Sequence, residues 1–131
     1  MKVMALDFGS ARTGVAVSDP TGTIARPLCT VERASSEKGM DELAALVERE
    51  GVESVVVGLP LTLRGGRGEQ ARASEQFAAR LRKRLEVPVI LFDERFTTDL
   101  AQQTPSESDL DARAAAHLLS GFLAWSSGAP A

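Results

Sequence analysis

Lys2-Val3-Met4-Ala5-Leu6-Asp7-Phe8-Gly9-Ser10-Ala11-Arg12-Thr13-Gly14-Val15-Ala16-Val17-Ser18 is the stretch that decides the fold. Successive strand residues face opposite ways, so Val3 and Ala5 share a face with Asp7, while Met4, Leu6 and Phe8 share the other. Both faces are apolar. A strand of this kind belongs in the middle of a sheet covered on both sides. Gly9–Gly14 reads as a turn and Val15–Ser18 as a second strand. Asp7 is out of place as a packing residue, because strands are depleted in aspartate. Its alternative role is to cap the turn at Gly9.

Outward from this hairpin, Asp19-Pro20-Thr21-Gly22 is a further turn signal, and Ile24–Val31 a third strand. Pro27 within it suits an edge. The pattern then alternates. Ser36–Glu50 carries Met40, Leu43, Ala44, Leu46 and Val47 at helical spacing and stops at Gly51. Val55–Val57 is a short buried strand leading to Gly58-Leu59-Pro60, and Leu61–Gly68 is a loop. Glu69–Leu85 is a helix with Phe77, Ala78, Leu81 and Leu85 on one stripe. Val87–Phe92 is a fifth strand, ended by Asp93-Glu94-Arg95. Thr97–Gln103 reads as a short helix stopped at Pro105, and Ser108–Trp125 as the last helix.

The order βββαβαβα predicts an α/β fold with a mixed five-stranded sheet and helices on both faces. Val3, Ala5, Leu6, Val55, Val57, Val89, Leu91, Leu118 and Leu119 are its expected core. Residues 1–125 form one domain, and 126–131 a flexible tail of small and polar residues.

Composition agrees. The chain has 131 residues, 44% of them hydrophobic and 25% charged, close to the soluble globular average. A single cysteine, Cys29, excludes a disulfide scaffold and suits a reducing cytoplasm. No apolar run approaches the roughly 20 residues of a membrane span. Cys29 itself reads as a small buried hydrophobe. The net charge is −3, but between Arg64 and Arg84 seven cations stand against two anions. Such a stretch is either an electrostatic footprint for phosphate or a solvated helix face.

The acids fall where strands end. Asp7 ends the first strand, Asp93 and Glu94 the fifth, and Asp109 and Asp111 open the last helix. In open α/β sheets, ligands sit beyond the carboxyl ends of the strands. Converging carboxylates repel one another unless a cation neutralises them, and hard oxygen donors select magnesium or manganese. Two such ions would clamp the attacking and leaving oxygens of a phosphodiester, with a metal-activated water as nucleophile. Each acid also has a structural alternative. Asp93 or Glu94 could pair with Arg95. Asp111 stands three residues after Ser108, the spacing of a capping box with Asp in place of Glu or Gln. His117, the only histidine, lies among apolar helix residues and reads as packing. No Gly-x-x-x-x-Gly-Lys-Ser/Thr loop is present.

Asp7-Phe8-Gly9-Ser10-Ala11-Arg12-Thr13-Gly14-Val15-Ala16, Gly58-Leu59-Pro60, Asp93-Glu94-Arg95-Phe96-Thr97-Thr98 and Asp111-Ala112-Arg113-Ala114-Ala115 resemble, in this order, the motifs of the YqgF/RuvX family. These are Holliday-junction-resolvase-like proteins described as nucleases of the 16S ribosomal RNA precursor. The resemblance spans nearly the whole chain and implies an RNase H-like fold. It implies that Asp7, Glu94 and Asp111 are catalytic metal ligands for Mg2+ or Mn2+, two ions in all. Arg12 and Arg95 would then lie near the scissile phosphate. Family members usually carry a longer, Lys/Arg-rich segment before the last acidic helix. Here Asp99–Leu110 is short and holds no cation, so Arg64, Arg67 and Arg72 are the expected substrate contacts.

The function so expected is metal-dependent phosphodiester hydrolysis, in 5′ processing of precursor 16S rRNA. Its partners would be precursor rRNA or branched or single-stranded DNA, and ribosomal particles, with no membrane, for a monomer or homodimer. The alternatives are a structure-selective DNA nuclease and a non-catalytic ribosome maturation factor. Asp7-Phe8-Gly9 with Gly14 also resembles the first phosphate loop of actin-like ATPases. Those proteins duplicate the fold, and this chain holds one copy.

Overall fold

The computed structural model describes residues 1–60, 68–93 and 107–126, the first four residues of the last helix by backbone alone. Glu94, Arg95, Arg64 and Arg67, and the short helix expected at Thr97–Gln103, lie outside the described residues.

Strands β1 (Val3–Asp7), β2 (Arg12–Ser18) and β3 (Ala25–Glu32) form an antiparallel meander. Helix α1 (Glu37–Glu50), β4 (Ser54–Leu59), α2 (Glu69–Arg84), β5 (Val89–Asp93) and α3 (Glu107–Ser126) follow. The sheet order is β3-β2-β1-β4-β5. β1 pairs parallel with β4, and β4 parallel with β5. The strands ending in Asp7 and Asp93 therefore run the same way and deliver their carboxylates to one edge of the sheet.

Side-chain alternation builds two cores. Met4, Leu6, Val15, Val17, Val55, Val57 and Val89 pack with Leu43, Phe77 and Leu81 beneath α1 and α2. Val3, Ala5, Ala16, Val56 and Phe92 pack with Ala115, Leu118, Leu119, Phe122 and Leu123 of α3. Every expected core residue is buried except Leu91, which is half-buried because β5 is an edge strand. The free edge of β5 is covered in part by Arg82, whose Nε and Nη2 donate to Val89 O at 3.1 and 2.9 Å.

Local signals set most boundaries. The Ser36 hydroxyl accepts from Gly39 N at 3.0 Å and caps α1, and Gly51 ends it at φ 66°; only a residue without Cβ takes that conformation freely. Two boundaries differ from expectation. The β1–β2 connection is shorter than Gly9–Gly14, because Arg12, Thr13 and Gly14 already belong to β2. And α3 begins at Glu107, one residue before the Ser108 expected to open it. Cys29 is half-buried, which pushes its thiol upward from the ordinary value. His117 is half-buried on α3.

Candidate active site

Asp7 closes β1, and the ladder sets it opposite Gly14 of β2. Directly opposed residues project to one face, here the α3 face shared with Val3 and Ala5. Gly14 carries that helix. A Cβ at Gly14 would lie 1.8 Å from the Asp111 carbonyl oxygen, 2.3 Å from its carbonyl carbon and 3.0 Å from Ala112 N. The backbone of α3 rests directly on β2, one ladder pair from Asp7. Opposed Cα atoms are only about 5 Å apart, so Asp7 and Asp111, 104 positions apart in sequence, become neighbours.

Arg12 stands two residues before Gly14 and shares its face. Its Nε lies 3.1 Å from Asp111 Oδ2. That oxygen is buried and accepts no hydrogen bond among the described residues. The guanidinium is close enough to pair by charge, without the alignment of a hydrogen bond. A buried carboxylate oxygen short of a donor is costly unless something else satisfies it. Beside a second carboxylate, it is the hard-oxygen chemistry that magnesium and manganese prefer. Among the described residues, no three His, Cys, Asp or Glu side chains gather as a metal-binding group.

Asp93 does not join this pair. Val89 and Leu91 pack toward α1 and α2, while Ile90 and Phe92 pack toward α3. Alternation leaves Asp93 on the face turned away from Asp7.

The basic stretch is divided by topology. α2 connects two parallel strands, β4 and β5, and must run opposite to them. Its 16 residues span about 24 Å at 1.5 Å per residue. Arg72, exposed in its first turn, lies at the end of the sheet where Asp7 lies. Arg80, Arg82 and Arg84 lie in the last turns of α2 and are spent on holding the fold together. Arg80 donates to Ser35 O, Arg82 to Val89 O, and Arg84 Nη2 to Asp41 Oδ1 at 3.0 Å. The signal missed in the sequence is Gly14. A glycine inside a strand marks close approach of another backbone, which reads as a turn when the strand start is placed too late.

The family model described as "RuvX: Holliday junction resolvase" matches residues 1–124. The chain belongs to the RuvX family. A Holliday junction resolvase is a nuclease, so the family is one of hydrolases. A relative from Moorella thermoacetica, named "Putative pre-16S rRNA nuclease", is 41% identical over 94% of each chain. A relative of the same name from Chloroflexus aurantiacus is 46% identical over 77% of this chain and 66% of its own length. Among solved structures, Thermus thermophilus RuvC bound to a Holliday junction substrate superposes with a TM-score of 0.63. It covers 98% of this chain and 96% of RuvC at 17% identity. The free form of that RuvC gives 0.61 at 15% identity. At this identity the likeness shows the fold, which is RNase H-like, with the mixed five-stranded sheet expected from the element order. Among the described residues, no helix is long and apolar enough to cross a membrane.

Proposed function

We propose that this RuvX-family chain is a metal-dependent nuclease that hydrolyses phosphodiester bonds in precursor 16S rRNA. The carrying observation is the seating of Asp111 on Gly14, opposite Asp7, with one buried carboxylate oxygen that has no hydrogen bond among the described residues. Asp7 and Asp111 supply two carboxylates, and Glu94 the third. The resemblance of Asp93-Glu94-Arg95 to the family's motif supports Glu94, and alternation in β5 turns Asp93 itself away from Asp7. Bound to this set, Mg2+ or Mn2+, two ions in all, would supply Lewis acidity toward the phosphate.

The chain's own residues do the rest. Asp7 and Asp111 hold their carboxylates on a rigid strand and a helix seated on it, which pre-pays the cost of bringing like charges together. Arg12, drawn from Asp111 toward an incoming phosphate, would neutralise charge at the scissile group. Arg95 joins it, and Arg64, Arg67 and Arg72 hold the flanking backbone by charge. The names of the relatives favour ribosomal precursor RNA, and with that substrate the proposal places the protein on ribosomal particles in the cytoplasm. The family's description favours a second reading, a four-way DNA junction as substrate.

The test is cleavage of end-labelled precursor 16S rRNA, single-stranded DNA and a four-way junction with Mg2+ or Mn2+, beside Asp7→Asn. The reading expects metal-dependent RNA cleavage in the wild type, falling in Asp7→Asn by at least the roughly 10–100-fold that losing a group orienting a metal ligand costs. Cleavage of the junction alone selects the second reading. Binding without cleavage in both proteins leaves a non-catalytic maturation factor.

A further inference from the structure

We propose that Gly14 is a positioning residue for the acid pair: its bare backbone seats α3 and so sets the separation of the Asp7 and Asp111 carboxylates. The inference rests on the metal-dependent reading above and names a residue that neither binds metal nor touches substrate.

Three observations support it. First, the approach is backbone to backbone. A Cβ 1.8 Å from Asp111 O and 2.3 Å from Asp111 C cannot be absorbed by a side-chain rotation. Ordinary carbon contacts need about 3.5 Å, so the first turns of α3 would have to rise by roughly 1.5 Å. Second, β2 cannot recede to make room. It is paired on both sides, to β1 and β3, and Thr13, Val15 and Val17 are fully buried on its opposite face. Third, the far half of α3 is anchored. Leu118, Leu119, Phe122 and Leu123 are buried against Val3, Ala5, Ala16, Val56 and Phe92. A side chain at position 14 therefore tilts α3 about its anchored end and lifts the end carrying Asp111. Asp7, fixed in the ladder, stays where it is. The two carboxylates separate while the fold persists.

Gly14→Ala is compared with wild type by Mn2+ titration calorimetry, far-UV circular dichroism and thermal melting. The expected result is a cooperatively folded protein whose Mn2+ affinity falls about 10–100-fold, the range for losing a group that orients a metal ligand. Lengthening the lifted ligand should compensate, because one added carbon–carbon bond is about 1.5 Å. Asp111→Glu in the Gly14→Ala background is therefore expected to regain affinity, while Asp111→Glu alone loses it. A structural defect alone would not show that sign reversal. Should Gly14→Ala fail to fold, Ala112→Val raises the same turn from the helix side, since Ala112 is buried and adjacent to Asp111. The same loss and the same rescue are then expected. Wild-type Mn2+ affinity in a folded Gly14→Ala, or no rescue by Asp111→Glu, overturns the proposal. A wild-type protein that binds no Mn2+ overturns the metal reading itself and this inference with it.

Discussion

The two ends of the sheet treat their acids differently. At the end where β1 begins, Glu50 and Asp19 are well supplied with partners. Glu50 faces three cations, with Lys2 Nζ at 3.3 Å, Arg26 Nη2 at 3.7 Å and Arg49 Nε at 3.7 Å. Asp19 accepts from Thr23 N at 2.8 Å, Ile24 N at 2.9 Å and the Thr21 hydroxyl. Those donors hold its carboxyl well below the usual range. The amino terminus donates to Pro20 O at 3.0 Å and closes the same end. At the end where β1 finishes, Asp111 pairs by charge with Arg12 and keeps a buried oxygen with no hydrogen bond among the described residues. Acids at the first end complete turns and chain junctions, so the partners lie within a few residues or on adjoining segments. At the second end the acids are assembled by packing, and among the described residues one Asp111 oxygen has no hydrogen bond. Incomplete satisfaction of a buried charge marks a place where something else is meant to bind.

The sharpest way to break this contrast is Asp111→Asn. It should lower Mn2+ affinity by at least about 10–100-fold, read by calorimetry, and abolish most cleavage. Its unfolding free energy should change little, because the lost pair with Arg12 is partly exposed and such pairs contribute about 0–1 kcal/mol. A large loss of stability with unchanged Mn2+ binding would make Asp111 a structural acid like those at the other end. Next in size is Glu50→Gln. The cluster around Glu50 is only partly buried, with Arg26 and Arg49 mostly exposed, so urea unfolding should show a loss of about 1 kcal/mol and no change in cleavage.

The smallest effect concerns the Asp19 turn and is a pH dependence. The folded carboxyl sits below its unfolded value near 3.9, so its contribution is fully present above about pH 4. It is lost as the pH falls from there through the folded value. The difference in urea midpoint between wild type and Asp19→Asn should be constant between pH 5 and 8 and shrink below about pH 4. A difference that grows on acidification would reverse the sign and remove the hydrogen-bonded turn as its cause.

Much of this was legible before any coordinates, for a physical reason. Strand alternation and helical period are local, so the double-faced apolarity of Val3–Leu6 already announced a central strand, and Pro27 an edge. The Ser36 cap and the Gly51 stop are also local chemistry, each decided within four residues. The parity of β5 was equally visible as a pattern, but Val89, Ile90, Leu91 and Phe92 are all apolar. Which pair faces α3 could be read only from the packed structure.

What tertiary structure decided is everything that joins distant segments. Seven cations between Arg64 and Arg84 look like one patch in the sequence. In the structure Arg72 stands in the first turn of α2, about 12 Å along the helix from Arg80 and about 18 Å from Arg84, and Arg80, Arg82 and Arg84 spend their donors on Ser35, Val89 and Asp41. Gly14 reads in sequence as part of a turn, whereas in the structure a helix from the far end of the chain rests on it. By itself, then, the sequence determined the order and type of the described elements, the two-faced core and the acids at the strand ends, because propensity, capping and periodicity act over a few residues. Tertiary structure alone decided which acids meet, since the separation of Asp7 and Asp111 depends on how closely two backbones 97 residues apart, at Gly14 and Asp111, can pack.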